Sequence, residues 1–281
     1  MVHILSRVNP NQDTKWVFVC GRDDTPRFMF DIINAARIIK ERQNDREDNI
    51  YYFTGLPSAS TFLEANGLSS GQLYNIDQLI PKLKTFKDIA FLGCVVSSHG
   101  SIDGMEGIKP SELLDTMQQI PGVTDGLLLL GQCYSGIFNM PRQSKICVVG
   151  ASNFYPSLSY QSIESECNWA ANVFLYYFFK WIKNPYDVDG DGQHTVLDAY
   201  KYASSMTNDF LIRRKIQDSK DFQNWCSKEY EKISVAPTSP MQKMEFTARM
   251  NELDARLSVY HNHQEAWISD QEVALRLIVK S

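Results

Sequence analysis

The fold is decided by the stretch Asp125-Gly-Leu-Leu-Leu-Leu-Gly-Gln-Cys-Tyr-Ser-Gly136. Four consecutive leucines after a turn-prone Asp-Gly pair predict a strand that is buried on both faces, as in the centre of a parallel sheet. The apolar run ends at Gly131, and Cys133 follows it among small residues. Because ligands bind at the carboxyl ends of the strands in open α/β sheets, Cys133 is predicted to lie where chemistry takes place.

A second stretch has the same design and reads Asp88-Ile-Ala-Phe-Leu-Gly-Cys-Val-Val-Ser-Ser-His-Gly-Ser101. It predicts an apolar strand that leads to His99 and Gly100. If the two strands are parallel neighbours, His99 and Cys133 meet at one edge of the sheet. A catalytic thiol needs a base or a nearby cation to supply thiolate, and His99 is the one histidine that follows a predicted strand.

Gly100 is the third candidate catalytic residue. A glycine lets the backbone approach a substrate closely, and the N–H groups of Gly100 and Cys133 together suit a developing oxyanion. Cys94 and Cys147 lie inside apolar runs, so we expect them to be small buried hydrophobes. The nucleophile elbow of serine hydrolases does not fit, because the residue two after the cysteine is Ser135 rather than glycine.

The rest of the chain alternates apolar runs with segments of helical spacing. Strands are predicted near residues 15–21, 49–55 and 145–150, and helices over 27–42 and from Pro110 onward. This alternation predicts a doubly wound α/β fold. An aromatic helix over 168–183 is expected to pack on the sheet. The break Val235-Ala-Pro-Thr-Ser-Pro240 predicts one domain over residues 1–235 and a C-terminal extension over 236–281, which either stands apart or completes the same domain.

Composition excludes several classes of protein. The formal net charge is −5 and there is no long basic run, which argues against nucleic acid as a partner. No apolar run is long enough to span a membrane, and the N-terminus lacks the zones of a signal peptide. Six scattered cysteines suit reduced thiols. We therefore expect a cytoplasmic protein, or one exported without a cleavable signal peptide, and its oligomeric state stays open.

These motifs resemble the caspase-fold cysteine peptidases, and most closely the legumain family. The family has a strand followed by His-Gly, then a second strand followed by Glu-Ala-Cys-x-Ser-Gly, and here the second motif reads Gly131-Gln-Cys-Tyr-Ser-Gly136. A further likeness is Pro26-Arg-Phe-Met-Phe-Asp31, where legumains read Tyr-Arg-His-Gln-Ala-Asp. The segment from Val148 to Tyr160 parallels the family's Asn-Pro-Arg-Glu-Ser-Ser-Tyr. The resemblance covers about residues 15–206.

The resemblance implies a caspase-like, mostly parallel sheet of six strands with helices on both faces. It also implies a cysteine endopeptidase that acts on a protein or peptide substrate through an acyl-enzyme and requires no cofactor for catalysis. Arg27 matches the legumain arginine that binds the substrate asparagine, since a guanidinium suits a carboxylate or a side-chain carbonyl. Ser159 would line the same pocket, with Tyr134 and Ser135 next to the cysteine on the substrate-binding side.

Two departures from the family affect this interpretation. In legumains, acidic groups accept the amide hydrogens of the substrate asparagine. One of these acids is replaced here by Tyr134, although Glu164 or Glu166 would take the place of another. The loss of one acceptor shifts the expected preference from asparagine toward aspartate. Cleavage after Asn or Asp is therefore predicted. The asparagine that helps to orient the histidine in the family is Thr25 here.

Three alternatives stay open. Arg27 would simply pair with Asp31 one helical turn later if it were an exposed surface arginine. The same dyad would support transpeptidation or transamidation if an amine replaced water. Thr25 and the unusual neighbours of the cysteine would also fit a catalytically inactive caspase-like interaction module.

An acidic turn is the last candidate site. The segment Asp187-Val-Asp-Gly-Asp-Gly-Gln-His-Thr-Val-Leu-Asp198 has acids at positions one, three, five and twelve and glycine at six, as in a calcium loop. A structural calcium ion held by Asp187, Asp189, Asp191, Gln193 and Asp198 is one expectation. The other is a hydrogen-bonded turn in which Thr195 or a near neighbour caps the following helix.

Overall fold

The computed structural model describes residues 2–5, 14–22, 26–43, 47–141, 144–161, 169–235, 239–261 and 264–279. The described strands, in chain order, are β1 Val2–Leu5, β2 Thr14–Cys20, β3 Ile50–Thr54, β4 Leu73–Asn75, β5 Phe91–Ser97, β6 Gly100–Ser101, β7 Gly104–Met105, β8 Asp125–Leu130, β9 Ile146–Gly150, β10 Ser159–Gln161, β11 Ala170–Asn172, β12 Trp267–Ile268 and β13 Leu277–Val279.

The described α-helices are α1 Arg27–Arg42, α2 Ala59–Ala65, α3 Leu79–Leu83, α4 Pro110–Gln119, α5 Val173–Lys183, α6 Val196–Val235, α7 Pro240–His261 and α8 Gln271–Arg276. Two 3-10 helices lie at Ile76–Gln78 and Ser135–Asn139. No helix in the described part of the chain has both the length and the apolar character needed to cross a membrane.

The described strands include a seven-stranded sheet, in the order β12-β9-β8-β5-β2-β3-β4. All neighbouring strands are parallel except β12, which is antiparallel to β9. The α/β class predicted from the sequence is confirmed, but the expected number of six strands is wrong. The two outer strands, β4 and β12, are only three and two residues long, and such short segments carry no readable alternation of apolar residues.

Helices cover both faces of the sheet. One core contains Leu79 and Leu83 from α3 and Leu113 and Met117 from α4, packed on inward-facing strand residues such as Val96. Helices α1 and α5 contact each other, and α1 contacts β2 and β5. Side chains alternate between the two faces of a strand. The buried strand residues that are not in this first core therefore point toward α1 and α5.

Most predicted elements are present. Helix α1 has the predicted bounds, and the predicted aromatic helix begins at Val173 rather than at residue 168. The three residues before it form β11, which pairs with β10 in an antiparallel hairpin. Almost every residue of α5 is buried, as expected for a helix that is apolar all round.

The chain forms two compact units. One contains residues 1–206 and 264–281, and the other contains residues 207–263. In the second unit the ring of Trp225 stacks on Phe246, with centroids 5.6 Å apart, and the guanidinium of Arg249 lies 5.6 Å from the Trp225 ring. The predicted boundary at residue 235 falls within this second unit.

The segment 264–279 adds three elements to the first unit. Strand β12 pairs with β9, and β13 pairs with β1. The side chain of Gln264 is buried, accepts a 2.8 Å hydrogen bond from the backbone N–H of Leu158 and donates a 3.0 Å bond to the carbonyl of Ala151. Gln264 therefore fixes both ends of the segment 151–158, which follows β9.

Candidate active site

The two strands that lead to the candidate dyad lie side by side and in register. Val96 on β5 pairs with Leu130 on β8, and the N–H of Gly131 donates a 2.8 Å hydrogen bond to the carbonyl of Val96. His99 comes three residues after Val96, and Cys133 comes three residues after Leu130. Because the strands are parallel, both residues follow the same edge of the sheet.

The thiol of Cys133 is half-buried and contacts the segment that Gln264 holds. The backbone N–H of Ser157 donates a hydrogen bond to Sγ of Cys133 at 3.3 Å, and the thiol faces the carbonyl of Ser157 at 3.7 Å. An N–H that points at a sulfur atom stabilises the thiolate more than the thiol. The carbonyl of the same residue accepts from the thiol and has the opposite effect, but it lies farther from the sulfur than the N–H does.

His99 is exposed at the end of β5. Its ring meets Phe28 edge to face, with centroids 5.0 Å apart, and Phe28 is the second residue of α1. The backbone carbonyl of His99 accepts a 2.9 Å bond from the hydroxyl of Ser98. The start of α1 therefore limits how the imidazole is oriented.

Gly100 lies against the backbone of Cys133. It begins the short hairpin β6–β7, where it pairs with Met105. A β-carbon at Gly100 would overlap the carbonyl oxygen of Cys133 and press on the side chain of Gln132. Only glycine permits this approach, which brings the loops after β5 and β8 together.

Behind the dyad lies a buried carboxylate, Asp31 on α1. Its oxygens accept hydrogen bonds from the hydroxyl of Ser97 at 2.8 Å, the indole N–H of Trp169 at 2.9 Å and the backbone N–H of Asn172 at 3.1 Å. Burial raises the pKa of Asp31 from 3.8 to about 6, against the lowering effect of these donors and of Arg27. Asp31 thus links α1 to β5 and β11.

Asn172 continues this network toward the cysteine. Its amide nitrogen donates to the carbonyl of Gly131 at 2.5 Å and to the hydroxyl of Ser157 at 2.7 Å. Its amide oxygen accepts from the N–H of Leu175 at 3.0 Å and so caps α5. The same side chain therefore contacts the end of β8, the segment beside the thiol and the start of a helix.

Arg27 is half-buried at the first position of α1. Its guanidinium carbon lies 4.4 Å from the centre of the Phe28 ring, and its charge lowers the pKa of Asp31. The expected alternative of an exposed pair with Asp31 does not describe this arrangement, because Asp31 is buried and bonded to Ser97, Trp169 and Asn172. The guanidinium of Arg27 and the imidazole of His99 therefore both contact the ring of Phe28.

The other predicted substrate-binding residues differ in their surroundings. Ser159 is half-buried on β10 and pairs with Asn172 on β11. Tyr134 is half-buried in a left-handed conformation (φ 56°), and its N–H donates to the carbonyl of Tyr155 at 3.0 Å. Ser135 is fully buried and its hydroxyl bonds to Ser152, so it holds two loops together and is not part of the pocket proposed below.

Three residues named in the sequence analysis, Thr25, Glu164 and Glu166, lie outside the described residues. In the described part of the chain, Cys94, Cys133, Cys147 and Cys226 are free thiols. As expected, Cys94 and Cys147 are completely buried, and burial raises the pKa of the Cys94 thiol to about 12 and that of Cys147 further. Cys20 also lies at the carboxyl edge, as the last residue of β2, but it is buried, whereas Cys133 is half-buried beside the loop that carries the histidine.

In the acidic turn, ligand oxygens of Asp187, Asp189 and Asp191 all lie within 4.8 Å of one another. The backbone N–H groups of Gly190 and Gly192 donate to Asp187, which lowers the pKa of its carboxyl.

The other two predicted calcium ligands are Asp198 and Gln193. Asp198 is buried and its carboxylate accepts bonds from the N–H of Val188 and from the N–H and hydroxyl of Thr195. Gln193 donates its backbone N–H to Asp191 at 2.8 Å. Thr195 and Asp198 form the reciprocal contacts of a helix start, the expected alternative to a metal loop, while calcium binding stays a prediction.

Sequence reasoning missed the supporting residues Ser157, Asn172 and Gln264. Asn172 precedes a long apolar run, which is a recognisable helix-capping signal, but nothing in the sequence indicates its contacts with Gly131 and Ser157. The sequence presents Asp31 as a partner for Arg27 and as part of the legumain-like segment, but not as a buried carboxylate. A charged residue within the apolar stripe of a predicted helix is the signal that marks it as buried and bonded.

Comparison of the sequence with protein-family models gives no match, and comparison with curated proteins gives none. The functional assignment below therefore depends on the geometry of this site and on the motif resemblance.

Proposed function

We propose that this protein is a cysteine endopeptidase with a caspase-like fold, most like the legumain family, in which Cys133 and His99 form the catalytic dyad. The observation that carries the proposal is the register of β5 and β8. Val96 pairs with Leu130, so His99 and Cys133, each three residues further on, follow the same edge of the sheet. The order of histidine before cysteine along the chain is that of the family.

In the proposed reaction, His99 accepts the thiol proton and the sulfur of Cys133 attacks the scissile carbonyl carbon. The carbonyl oxygen becomes an oxyanion, which the N–H groups of Gly100 and Cys133 stabilise. His99 then donates its proton to the leaving amine, and the C–N bond breaks to give a thioester. Water, deprotonated by His99, hydrolyses the thioester and restores the thiol.

The half-buried thiol supports a nucleophilic role. A thiol completely surrounded by apolar side chains keeps its proton, as the raised pKa of Cys94 illustrates. Cys133 has instead a backbone N–H directed at its sulfur and lies beside the loop that carries the histidine. These features also separate it from Cys147 on the neighbouring strand β9.

The proposed substrate pocket contains Arg27 and Ser159. Arg27 follows β2 and shares the ring of Phe28 with His99, so its guanidinium is close to the proposed reaction centre. A fork of N–H donors binds a carboxylate or a side-chain carbonyl. The positive charge of Arg27, and the presence of Tyr134 where legumains have an acid, favour cleavage after Asp or Asn.

The experiment that tests the proposal is labelling with a peptidyl acyloxymethyl ketone, read by intact mass. The expected result is one adduct, located on Cys133 and lost in Cys133→Ala. His99→Ala should slow labelling strongly, while Cys94→Ala, which removes a buried thiol on β5, should leave it unchanged. An adduct that persists in Cys133→Ala would overturn the assignment.

A further inference from the structure

Asn172 has an unusual set of contacts for a helix cap. A capping asparagine needs only its side-chain oxygen, which here accepts from Leu175. The amide nitrogen is also fully used, since its two protons match the two acceptors, Gly131 and Ser157. The backbone N–H is used as well, by Asp31.

The contact with Ser157 leads directly to the cysteine. Asn172 holds the hydroxyl of Ser157 at 2.7 Å, and the backbone N–H of the same serine points at Sγ of Cys133 at 3.3 Å. The contact with Gly131 fixes the chain two residues before that sulfur. Asn172 therefore holds both partners of the N–H···S contact, the donor segment and the cysteine loop.

The surroundings of Asn172 keep the amide in place. Its backbone is tied to the buried carboxylate of Asp31, and the residue itself is only 3% exposed. Gly131 permits the close approach, because a β-carbon there would lie 3.3 Å from the amide carbon of Asn172 and would overlap Leu175. A side chain with fewer contacts would not define the position of Ser157 so narrowly.

We propose that Asn172 is a positioning residue that acts through Ser157 to keep a backbone N–H on the sulfur of Cys133 and so favours the thiolate. An effect of Asn172 on peptide cleavage rests on the proposed function, whereas its effect on the reactivity of the Cys133 thiol does not. A hydrogen bond to the charged form favours that form, and the N–H of Ser157 lies closer to the sulfur than the carbonyl of the same residue, which has the opposite effect.

The titratable groups of the site belong to three parts of the fold. His99 follows β5, Tyr134 is next to the cysteine, and Arg27 and Asp31 are on α1, where Asp31 accepts from the backbone N–H of Asn172. Substitutions of Asn172 by neutral residues leave all of these groups in place. A change in the titration of Cys133 then reports the loss of the positioned N–H.

The test is the rate of alkylation of Cys133 by iodoacetamide between pH 5 and pH 10, followed by peptide mass in the full chain. Asn172→Ser keeps a helix-capping oxygen but is too short to reach Gly131 and Ser157. The expected result is a pH profile of labelling displaced toward higher pH, with labelling at neutral pH slowed by up to about tenfold. The limiting rate at high pH should be unchanged.

Two further variants make the result decisive. Ser157→Ala keeps the cap and the Gly131 contact but removes the hydroxyl that Asn172 holds, so it should displace the titration in the same direction, and Asn172→Ser should add little to it. Asp270→Ala removes the comparable cap of α8, which bonds to Val273, and should leave the titration unchanged.

A wild-type titration in folded Asn172→Ser or in Ser157→Ala would overturn the inference and leave Asn172 as a helix cap only. An equal displacement in Asp270→Ala would overturn it too, since general loosening would then be the cause. Alkylation requires a thiol and no peptidase activity, so failure of the proposed function, seen with the peptidyl probe, is a separate result.

Discussion

Gly100 and Cys133 are in such close contact that the carbonyl oxygen of Cys133 occupies the space that a β-carbon on residue 100 would need. The two residues belong to different loops, one after β5 and one after β8. Their contact is between backbone atoms, which cannot move aside as the end of a flexible side chain can. The separation of the two loops is therefore set by the absence of a side chain at position 100.

Substitution Gly100→Ala is expected to push these loops apart. We predict a loss of about 1–3 kcal/mol in the free energy of unfolding, the usual cost of overpacking, measured by urea denaturation. Labelling by the peptidyl probe should fall by about 100-fold or more, because a displacement of about 1 Å at a catalytic centre has that effect. Gly71→Ala is the control, since its nearest neighbour is the hydroxyl of Ser69 at 3.3 Å. Equal activity of Gly100→Ala and wild type would contradict the proposed oxyanion site.

Substitution Arg27→Lys is expected to weaken selection of the residue before the cleaved bond. Lysine keeps the charge but loses the fork of donors, and a charge-assisted hydrogen bond contributes about 1.5–3 kcal/mol. We predict that kcat/KM for substrates with Asp or Asn falls by about 10- to 150-fold, measured with a peptide library. The control is Arg22→Ala. Arg22 also follows β2, but it is exposed and pairs with Asp77, so its loss should have little effect. Cleavage chiefly after Arg or Lys in the wild type would remove Arg27 from the pocket.

The buried carboxylate of Asp31 predicts a dependence of stability on pH. Because its pKa is raised from 3.8 to about 6, the folded chain retains a proton over a range in which the unfolded chain has lost it. Its contribution therefore favours folding below about pH 4 and is lost as the pH rises through about 6, by about 3 kcal/mol at most.

The variant Asp31→Asn isolates this contribution. Its amide oxygen can keep the bonds from Trp169 and Asn172, and its amide nitrogen can donate to the hydroxyl of Ser97. Urea denaturation at pH 4 and at pH 7 should show the wild type losing stability relative to Asp31→Asn as the pH rises. Parallel pH curves for the two proteins, or a relative gain by the wild type at pH 7, would contradict the raised pKa.

Substitution Gln264→Ala should loosen the segment beside the cysteine. It leaves the buried N–H of Leu158 and the carbonyl of Ala151 without their partner, and each lost partner costs about 1–3 kcal/mol. We predict a loss of at least about 2 kcal/mol in urea denaturation and faster amide hydrogen exchange over residues 151–161. Gln217→Ala, which removes an exposed bond to Asp221 on α6, is the matched control and should change neither measurement. Unchanged exchange in Gln264→Ala would show that other contacts hold this segment.

The sequence predicts the centre of the sheet well and its edges poorly. Strands β5 and β8 are long apolar runs, and their parallel pairing follows from the class of fold. Strand β12 has two residues and pairs with β9 across more than a hundred positions of the chain. No local pattern encodes such a pairing, because it depends on where the intervening helices return the chain.

The same division holds for the candidate site. His99, Gly100 and Cys133 could be found from the sequence because each follows a recognisable strand. Asn172 and Gln264 could not, since their importance lies in hydrogen bonds to residues that are distant in sequence. The family resemblance predicts Ser135 on the substrate-binding side, yet its hydroxyl is buried against Ser152, because the left-handed turn at Tyr134 directs the chain inward.

The bond between Gln264 and Leu158 has a consequence for the order of events during synthesis. The two residues are 106 positions apart, and at about 5–20 residues per second a ribosome needs about 5–20 seconds to make the chain between them. During that interval Cys133 and His99 already exist, but the segment that presents the Ser157 N–H to the sulfur lacks its anchor. The contact between the Ser157 N–H and the sulfur is therefore complete only after Gln264 has been made, and under the proposed function this would delay activity of the nascent chain.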